Sequence, residues 1–177
     1  MGQIYIVKKS VTKLNVDCVV NAANEELWAG GGVCGVIFNE AGYDELTAAC
    51  KAIGHCGVGS AVITPGFNLK AKYIIHAVGP IWQGGNNNEE LLLRSCYQKA
   101  LLLAQENGCN SIGFPLISSG IFGYPKKDAW RVAISAVADF LMPNVDIDVY
   151  FAVLDDAVLK MGNEILQNKF ADADKHC

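Results

Sequence analysis

The sequence predicts an α/β fold, a three-layer α/β/α domain whose central mixed β-sheet carries helices on both faces. Three observations predict it. Short apolar or alternating runs, typical of strands, are interspersed with helical stretches along most of the chain. Glycine or proline separates most of these segments. The 177 residues suffice for one hydrophobic core, so we expect a single domain at 1–170 and a frayed C-terminal tail at 171–177.

The elements of the first half are predicted from local residue patterns. Alternation in QIYIV and the apolar run CVVN indicate two strands, and the two helices that follow end at Gly42 and Gly54. A Pro65-Gly66 turn then separates two more strands. In chain order the elements are strands at 3–7 and 18–21, helices at 33–39 and 43–53, and strands at 61–64 and 73–78.

The second half begins with a helix between Asn88 and Gly108. Asn88 is a candidate N-cap, because Glu89 and Glu90 then lie at the positive end of the helix dipole. Pro143 ends the following helix. The remaining elements are a strand at 111–115, a helix at 127–141, a strand at 147–154 and a helix from 156 to about 169.

Composition and charge limit the classes of partner. The chain is 51% hydrophobic, has a net charge of −4 and a pI near 5.3. Domains that bind a polyanion through their overall charge are usually basic, so the negative net charge disfavours a nucleic-acid partner. Backbone amides can still bind a small anion. No apolar stretch is long enough to span a bilayer and the first residues do not resemble a signal peptide. We therefore expect a cytoplasmic protein without membrane contact.

The seven cysteines favour a reducing compartment. Their number is odd and no CxxC occurs, and His55-Cys56 lacks further ligands at metal spacing. Neither a metal nor a cofactor is expected. Apolar neighbours indicate small core residues at Cys18, Cys50, Cys96 and Cys109.

Two glycine-containing loops connect a predicted strand to a helix. The first matches Gly30-x-Gly32-x-x-Gly35, but it starts too far beyond its strand for a dinucleotide fingerprint, and no Gly-Lys-Ser/Thr follows for a P-loop. The second is LISSGIFGYP at 116–125. Glycine lets a ligand approach the backbone and helix N-termini attract anions, so the two loops together suit the two ends of a pyrophosphate. A flexible turn is the alternative for the first loop.

Four motifs carry a family resemblance: VDCVVNAAN at 16–24, AGGGV at 29–33, YIIHAVGPIW at 73–82 and FPLISSGIFGYP at 114–125. They resemble the macrodomain family of ADP-ribose-binding modules, especially its stand-alone bacterial hydrolytic members, over about 4–166. The resemblance implies that Asn24 contacts the distal ribose and positions water, and that the Phe122 ring lies against that ribose. The implied ligand-binding residues are Ser10, Val11, Ala22, Ala23, Asn24, Gly30, Gly31, Gly32, Val33, Ser118, Ser119, Gly120, Ile121, Phe122, Leu154 and Asp155.

Several side chains near these motifs have competing interpretations, and core packing is the alternative to ligand contact for Phe122. For Asn21 we expect turn-capping by its amide, and the same capping is the alternative for Asn24. Tyr124 is expected to pack in the core. His76 lies in the middle of a predicted strand, which indicates a buried, hydrogen-bonded histidine.

Three residues depart from the family pattern. The resemblance implies an acidic residue, an aromatic residue and an aspartate at the positions of Ser10, Leu154 and Cys34. Asp155 or Asp156 is a candidate to accept a hydrogen bond from the adenine amine instead. Cys34 is expected to form part of the cleft wall, with an active thiol as the alternative, so the candidate catalytic residues are Asn24 and Cys34.

The resemblance therefore implies binding of ADP-ribose or a closely related ligand. It leaves open metal-free hydrolysis of ADP-ribosyl esters, either mono-ADP-ribosyl-Asp/Glu on a protein or O-acetyl-ADP-ribose. The partners would be ADP-ribose, an ADP-ribosylated protein or O-acetyl-ADP-ribose. The alternative is a non-catalytic module that binds ADP-ribose or another nucleotide derivative. A third class, recognition of RNA ends or poly-ADP-ribose, is disfavoured by the negative net charge.

Overall fold

The computed structural model describes residues 1–174, so residues 175–177 of the predicted tail lie outside the described residues. Strands and helices alternate, as the sequence predicts. The strands are β1 (Ile4–Lys8), β2 (Cys18–Ala22), β3 (Ala61–Pro65), β4 (Tyr73–Ala77), β5 (Ser111–Phe114) and β6 (Asp148–Val153). The helices are α1 (Gly32–Ala41), α2 (Tyr43–Ile53), α3 (Glu89–Glu106), α4 (Lys126–Leu141) and α5 (Asp156–Asp174), with a short 3₁₀ helix at Val11–Lys13.

The six strands form one mixed sheet in the order β1-β6-β5-β2-β4-β3. Every pair of neighbours is parallel except β3 and β4, which are antiparallel. The carboxyl ends of β1, β2, β5 and β6 therefore lie at one edge of the sheet, and the loops that leave them meet there. This is the edge at which open α/β sheets bind ligands.

Helices cover both faces of the sheet, which confirms the predicted three-layer α/β/α architecture. Val19 and Ile74 face α1 and α2, where Phe38 and Leu46 are fully buried. Their neighbours along the strands face the opposite side, because side chains alternate across a strand. On that side Val20, Ile75, Ile112 and Phe151 pack against Leu93, Tyr97, Trp130 and Val137 of α3 and α4, with α5 at the margin.

Two helix ends differ in detail from the sequence predictions. Helix α5 continues to Asp174, so residues 171–174, which we expected to be frayed, are helical. Asn88 does occupy the N-cap position of α3, but in a left-handed conformation and without a side-chain capping bond. The Glu89 carboxylate instead accepts the backbone N–H groups of Gln83, Gly85 and Asn87, which fixes the loop before the helix.

The four cysteines expected in the core, Cys18, Cys50, Cys96 and Cys109, are buried thiols. Within residues 1–174, no three His, Cys, Asp or Glu side chains are arranged so that they could hold a metal ion. None of the helices in that range has the length and apolar character needed to cross a membrane.

Candidate functional site

A cavity of about 630 Å³ opens at the carboxyl-end edge of the sheet. The loops after β1, β2, β5 and β6 form its walls, together with the first turn of α1. The structure brings all of the predicted site residues to this one cavity, whereas their contact with a ligand stays a prediction. They are Ser10, Val11, Ala22, Ala23, Asn24, Gly30, Gly31, Gly32, Val33, Cys34, Ser118, Ser119, Gly120, Ile121, Phe122, Leu154 and Asp155.

The first glycine loop presents unused backbone donors to the cavity. Gly32 begins α1 with φ +58°, a left-handed conformation that a side chain would strain. The N–H groups of Gly31, Gly32 and Val33 have no acceptor within residues 1–174, and they lie at the positive end of the helix dipole. At Gly35 a Cβ would stand 2.7 Å from the Gly30 carbonyl oxygen, so this glycine is needed for the close turn.

The second loop lies opposite the first. A Cβ at Gly31 would be 3.6 Å from the Ile121 side chain, so the two loops lie within contact distance of each other at the mouth of the cavity. The N–H of Ser119 is already donated to the Leu116 carbonyl at 3.3 Å, so this predicted amide donor is used within the fold. In the described part of the chain, the N–H groups of Gly120, Ile121 and Phe122 remain without acceptors. Two sets of residues with free amides therefore line one cavity, an arrangement suited to an anion.

The Asn24 side chain closes the first loop on itself. Its Oδ1 accepts the Trp28 N–H at 3.0 Å, and its Nδ2 donates to the Trp28 carbonyl at 2.9 Å. The capping alternative for Asn24 is therefore present in the structure. One N–H of the amide and one lone pair of Oδ1 remain for a ligand or a water molecule.

Cys34 belongs to a buried hydrogen-bonded chain. The Asn21 Nδ2 lies 3.5 Å from the Cys34 Sγ and 3.1 Å from the His76 Nδ1, and the His76 Nε2 lies 3.0 Å from the Thr64 Oγ1. The expected turn-capping role of Asn21 is wrong, because this residue lies within β2 and is 1% exposed. The expected buried, hydrogen-bonded His76 is confirmed. Burial lowers the pKa of His76 to about 4, because the interior disfavours its charged form.

The opposite end of the cavity contains Ser10, Val11 and Asp155. The Ser10 hydroxyl lies 3.0 Å from the Thr12 hydroxyl, and the Val11 N–H has no acceptor in the described chain. One oxygen of the Asp155 carboxylate accepts the Val158 N–H and caps α5. Asp156 pairs with Lys8 at 2.8 Å and does not line the cavity, so Asp155 is the better placed of the two candidate acceptors.

Sequence reasoning missed two lysines at the cavity, Lys9 and Lys126. Lys126 is the first residue of α4, and its Nζ donates to the Ser119 carbonyl at 3.2 Å, beside the second loop. Its position directly after the GYP turn was the available signal. Sequence reasoning also missed six apolar wall residues, which lie near predicted ones: Val36, Pro115, Leu116, Ala152, Val153 and Val158.

The two aromatic residues of the second loop have different surroundings. Phe122 is half-buried and lines the cavity. Tyr124 is buried and packs against Trp82 with ring centroids 4.7 Å apart, so it belongs to the core, as expected. Leu154, at the position where the resemblance implies an aromatic residue, is 71% exposed at the cavity rim.

Comparisons with known proteins agree with this geometry. A family model described as Macro domain matches residues 20–133. The O-acetyl-ADP-ribose deacetylase of Cronobacter turicensis is 46% identical over 160 residues, which cover 88% of this chain and 90% of that protein. A structure of the Oceanobacillus iheyensis macrodomain with ADP has a TM-score of 0.90 at 36% identity, covering 94% of this chain and 91% of the other. The Trypanosoma brucei macrodomain in complex with ADP-ribose has a TM-score of 0.83 at 34% identity, covering 92% of this chain and 68% of the other.

Proposed function

The chain belongs to the macrodomain family, and from this premise we propose that it binds ADP-ribose between its two loops and hydrolyses O-acetyl-ADP-ribose. The observation that carries the proposal is that two sets of residues with free amides line one cavity, Gly31 to Val33 in one loop and Gly120 to Phe122 in the other. A pyrophosphate offers acceptors on both sides. Related proteins support the choice, because one is named an O-acetyl-ADP-ribose deacetylase and another was solved with ADP-ribose.

The proposed binding mode follows the shape of the cavity. The diphosphate accepts hydrogen bonds from the two loops, with Lys126 supplying charge beside it. The adenine lies between Ser10, Val11 and Leu154, with Asp155 as the acceptor for its amine. The distal ribose lies against Phe122 and near Asn24. Hydrogen bonds to a charged group contribute roughly 1.5–3 kcal/mol each, so a few such amides provide most of the affinity.

The proposed reaction adds water to the ester carbonyl carbon and breaks its bond to the ribose oxygen, giving acetate and ADP-ribose. The thiol of Cys34 is not the proposed base, since its Sγ is within 3.6 Å of the Trp28 carbonyl and bonds with it as a donor. A ligand phosphate orients the water together with the unused amide N–H and the unused Oδ1 lone pair of Asn24. The amides of the second loop stabilise developing negative charge. The same chemistry applies to mono-ADP-ribosyl esters of Asp and Glu on a protein.

The test is to incubate the protein with O-acetyl-ADP-ribose and, separately, with a glutamate-ADP-ribosylated protein, and to measure acetate and ADP-ribose release. We expect release by the wild type and loss of release in Asn24→Ala. A wild type that releases no more than Asn24→Ala contradicts the enzymatic part of the proposal.

A non-catalytic binding module is the second candidate, favoured by Cys34 at a position where the resemblance implies an aspartate. Tight ADP-ribose binding without turnover in the wild type, together with turnover gained by Cys34→Asp, selects this candidate. We also propose a cytoplasmic location, supported by six buried free thiols among the described residues, which suit a reducing compartment. A nucleic-acid partner is not part of the proposal, and a steep salt dependence of binding would argue for one.

A further inference from the structure

Three buried polar groups behind the first loop form a chain that ends at the ligand cavity. We propose that Asn21 and His76 are positioning residues, which act through Cys34 to hold the first loop so that its free amides face the ligand. This inference rests on the proposed function for its ligand, but its central claim concerns the loop itself. None of the three side chains needs to touch the ligand to exert this effect.

The direction of each hydrogen bond follows from the donor inventory. The two Asn21 N–H groups point to the Cys34 Sγ and the His76 Nδ1, so Nδ1 accepts. The proton of the neutral imidazole then lies on Nε2 and is donated to the Thr64 hydroxyl, which donates to the Pro65 carbonyl at 3.2 Å. Each of these bonds then has one donor and one acceptor, and His76 ties the Asn21 Nδ2 to strand β4, whereas the buried Asn21 Oδ1 has no partner among the described residues.

Cys34 transmits this fixed position to the loop. Its Sγ accepts the Gly30 N–H at 3.4 Å and lies 3.6 Å from the Trp28 carbonyl, which it bonds as a donor. The Asn24 Nδ2 donates to the same Trp28 carbonyl, and the Asn24 Oδ1 accepts the Trp28 N–H. The peptide groups of Trp28 and Gly30 are therefore anchored directly before Gly31, Gly32 and Val33, whose N–H groups are the free donors.

The assignment also explains why a thiol is tolerated at this place. Cys34 is 5% exposed and uses its sulfur as both donor and acceptor, so its polar groups are satisfied by the loop and by Asn21. A side chain engaged in this way is a scaffold for the loop. Removing it leaves the Gly30 N–H and the Asn21 N–H without their acceptor.

Amide hydrogen exchange in the ligand-free protein tests the inference. In Cys34→Ala we expect the Gly30 and Trp28 amides, which are the hydrogen-bonded N–H groups of this loop, to exchange at least tenfold faster than in the wild type, and Cys34→Ser to recover most of this protection. The matched control is Cys109→Ala, because Cys109 is also 5% exposed but lies outside the cavity, and it should leave these amides unchanged. Asn21→Leu, which keeps the volume of the side chain, should accelerate the same amides. The double variant should add little, since both residues act through one contact.

Binding provides the second readout. We expect Cys34→Ala and Asn21→Leu to raise the Kd for ADP-ribose about tenfold, with partial rescue in Cys34→Ser. Unchanged exchange at Gly30 and Trp28 in Cys34→Ala overturns the inference. Full protection of these amides combined with lost turnover also overturns it, because that result would make Cys34 a catalytic thiol. If Asn21→Leu does not fold, Cys34→Ala and Cys34→Ser still test whether the loop is held through Cys34. A wild type that binds no ADP-ribose refutes the proposed function, whereas the exchange result still decides the inference.

Discussion

Replacing Gly120 by valine should block the diphosphate site without disturbing the fold. A Cβ at this position would meet no heavy atom within 4 Å, and Gly120 has no positive φ, so the new side chain enters open space at the cavity. It would stand beside the free N–H groups of Ile121 and Phe122. Loss of two hydrogen bonds to a charged group costs about 3–6 kcal/mol, at roughly 1.5–3 kcal/mol each. At about 1.4 kcal/mol per decade, the Kd for ADP-ribose should rise about 10²- to 10⁴-fold.

Titration calorimetry with ADP-ribose measures this loss, and differential scanning calorimetry checks the fold. Gly57→Val is the matched control, because a Cβ at Gly57 also meets nothing within 4 Å, its φ is not positive and it lies outside the cavity. We expect Gly57→Val to bind like the wild type and both variants to keep the Tm within a few degrees. A folded Gly120→Val protein that binds ADP-ribose within threefold of the wild type would refute the reasoning.

Three further predictions concern charge. Lys126→Ala should weaken ADP-ribose binding only several-fold and remove part of its salt dependence, because backbone amides supply most of the contacts; a loss above a hundredfold in calorimetry would contradict this. Asp155→Asn should keep the cap on α5, since asparagine also caps, yet weaken ADP-ribose binding about tenfold by removing the carboxylate acceptor. Asp155→Ala should in addition lose about 1 kcal/mol of stability in urea unfolding. Unchanged ADP-ribose binding in both variants would exclude the acceptor role. Burial lowers the pKa of His76 from 6.5 to about 4, so the unfolded chain takes up its proton first as the pH falls. The unfolding free energy should therefore be retained above pH 6.5 and fall by about 3 kcal/mol on the way to pH 4. His76→Gln should reduce this dependence of the unfolding free energy on pH. An equal pH dependence in the variant and the wild type would mean that the histidine is exposed.

The fold was predictable because local signals and tertiary packing agree along this chain. Glycines at 42 and 54 end α1 and α2 where the pattern ends, and the apolar run of β2 lies in the middle of the sheet. The loops of the site were also predictable, since glycine clusters between a strand and a helix have a recognisable composition. Strand order was beyond the local pattern, because it depends on which strands pair across long connections.

The roles of the amide side chains were not predictable from the sequence. Asn21, Asn24 and Asn88 all precede or adjoin loops, and a capping role was expected or considered for each. Only Asn24 bonds its own loop, whereas Asn21 bonds His76 from a neighbouring strand, and the Asn88 side chain makes no capping bond at all. An amide takes the partners that the tertiary fold brings within reach, and nearby residues in the sequence do not specify them.

The position of Lys126 illustrates the same limit at the cavity. Its sequence context indicates a helix start, and only the packing of α4 against the second loop brings its Nζ to the Ser119 carbonyl. A net charge of −4 gave no sign of two lysines at the site. Net charge describes the whole surface, whereas a ligand responds to the few groups that line its cavity.

A crystal structure of the protein with bound ADP-ribose tests the central claim most directly. We predict that the diphosphate oxygens lie within hydrogen-bond distance of backbone nitrogens from both loops, with at least one of Gly31 to Val33 and at least one of Gly120 to Phe122 as donors. A diphosphate held by the side chains of Lys9 or Lys126 alone, or bound away from the two loops, would contradict the account.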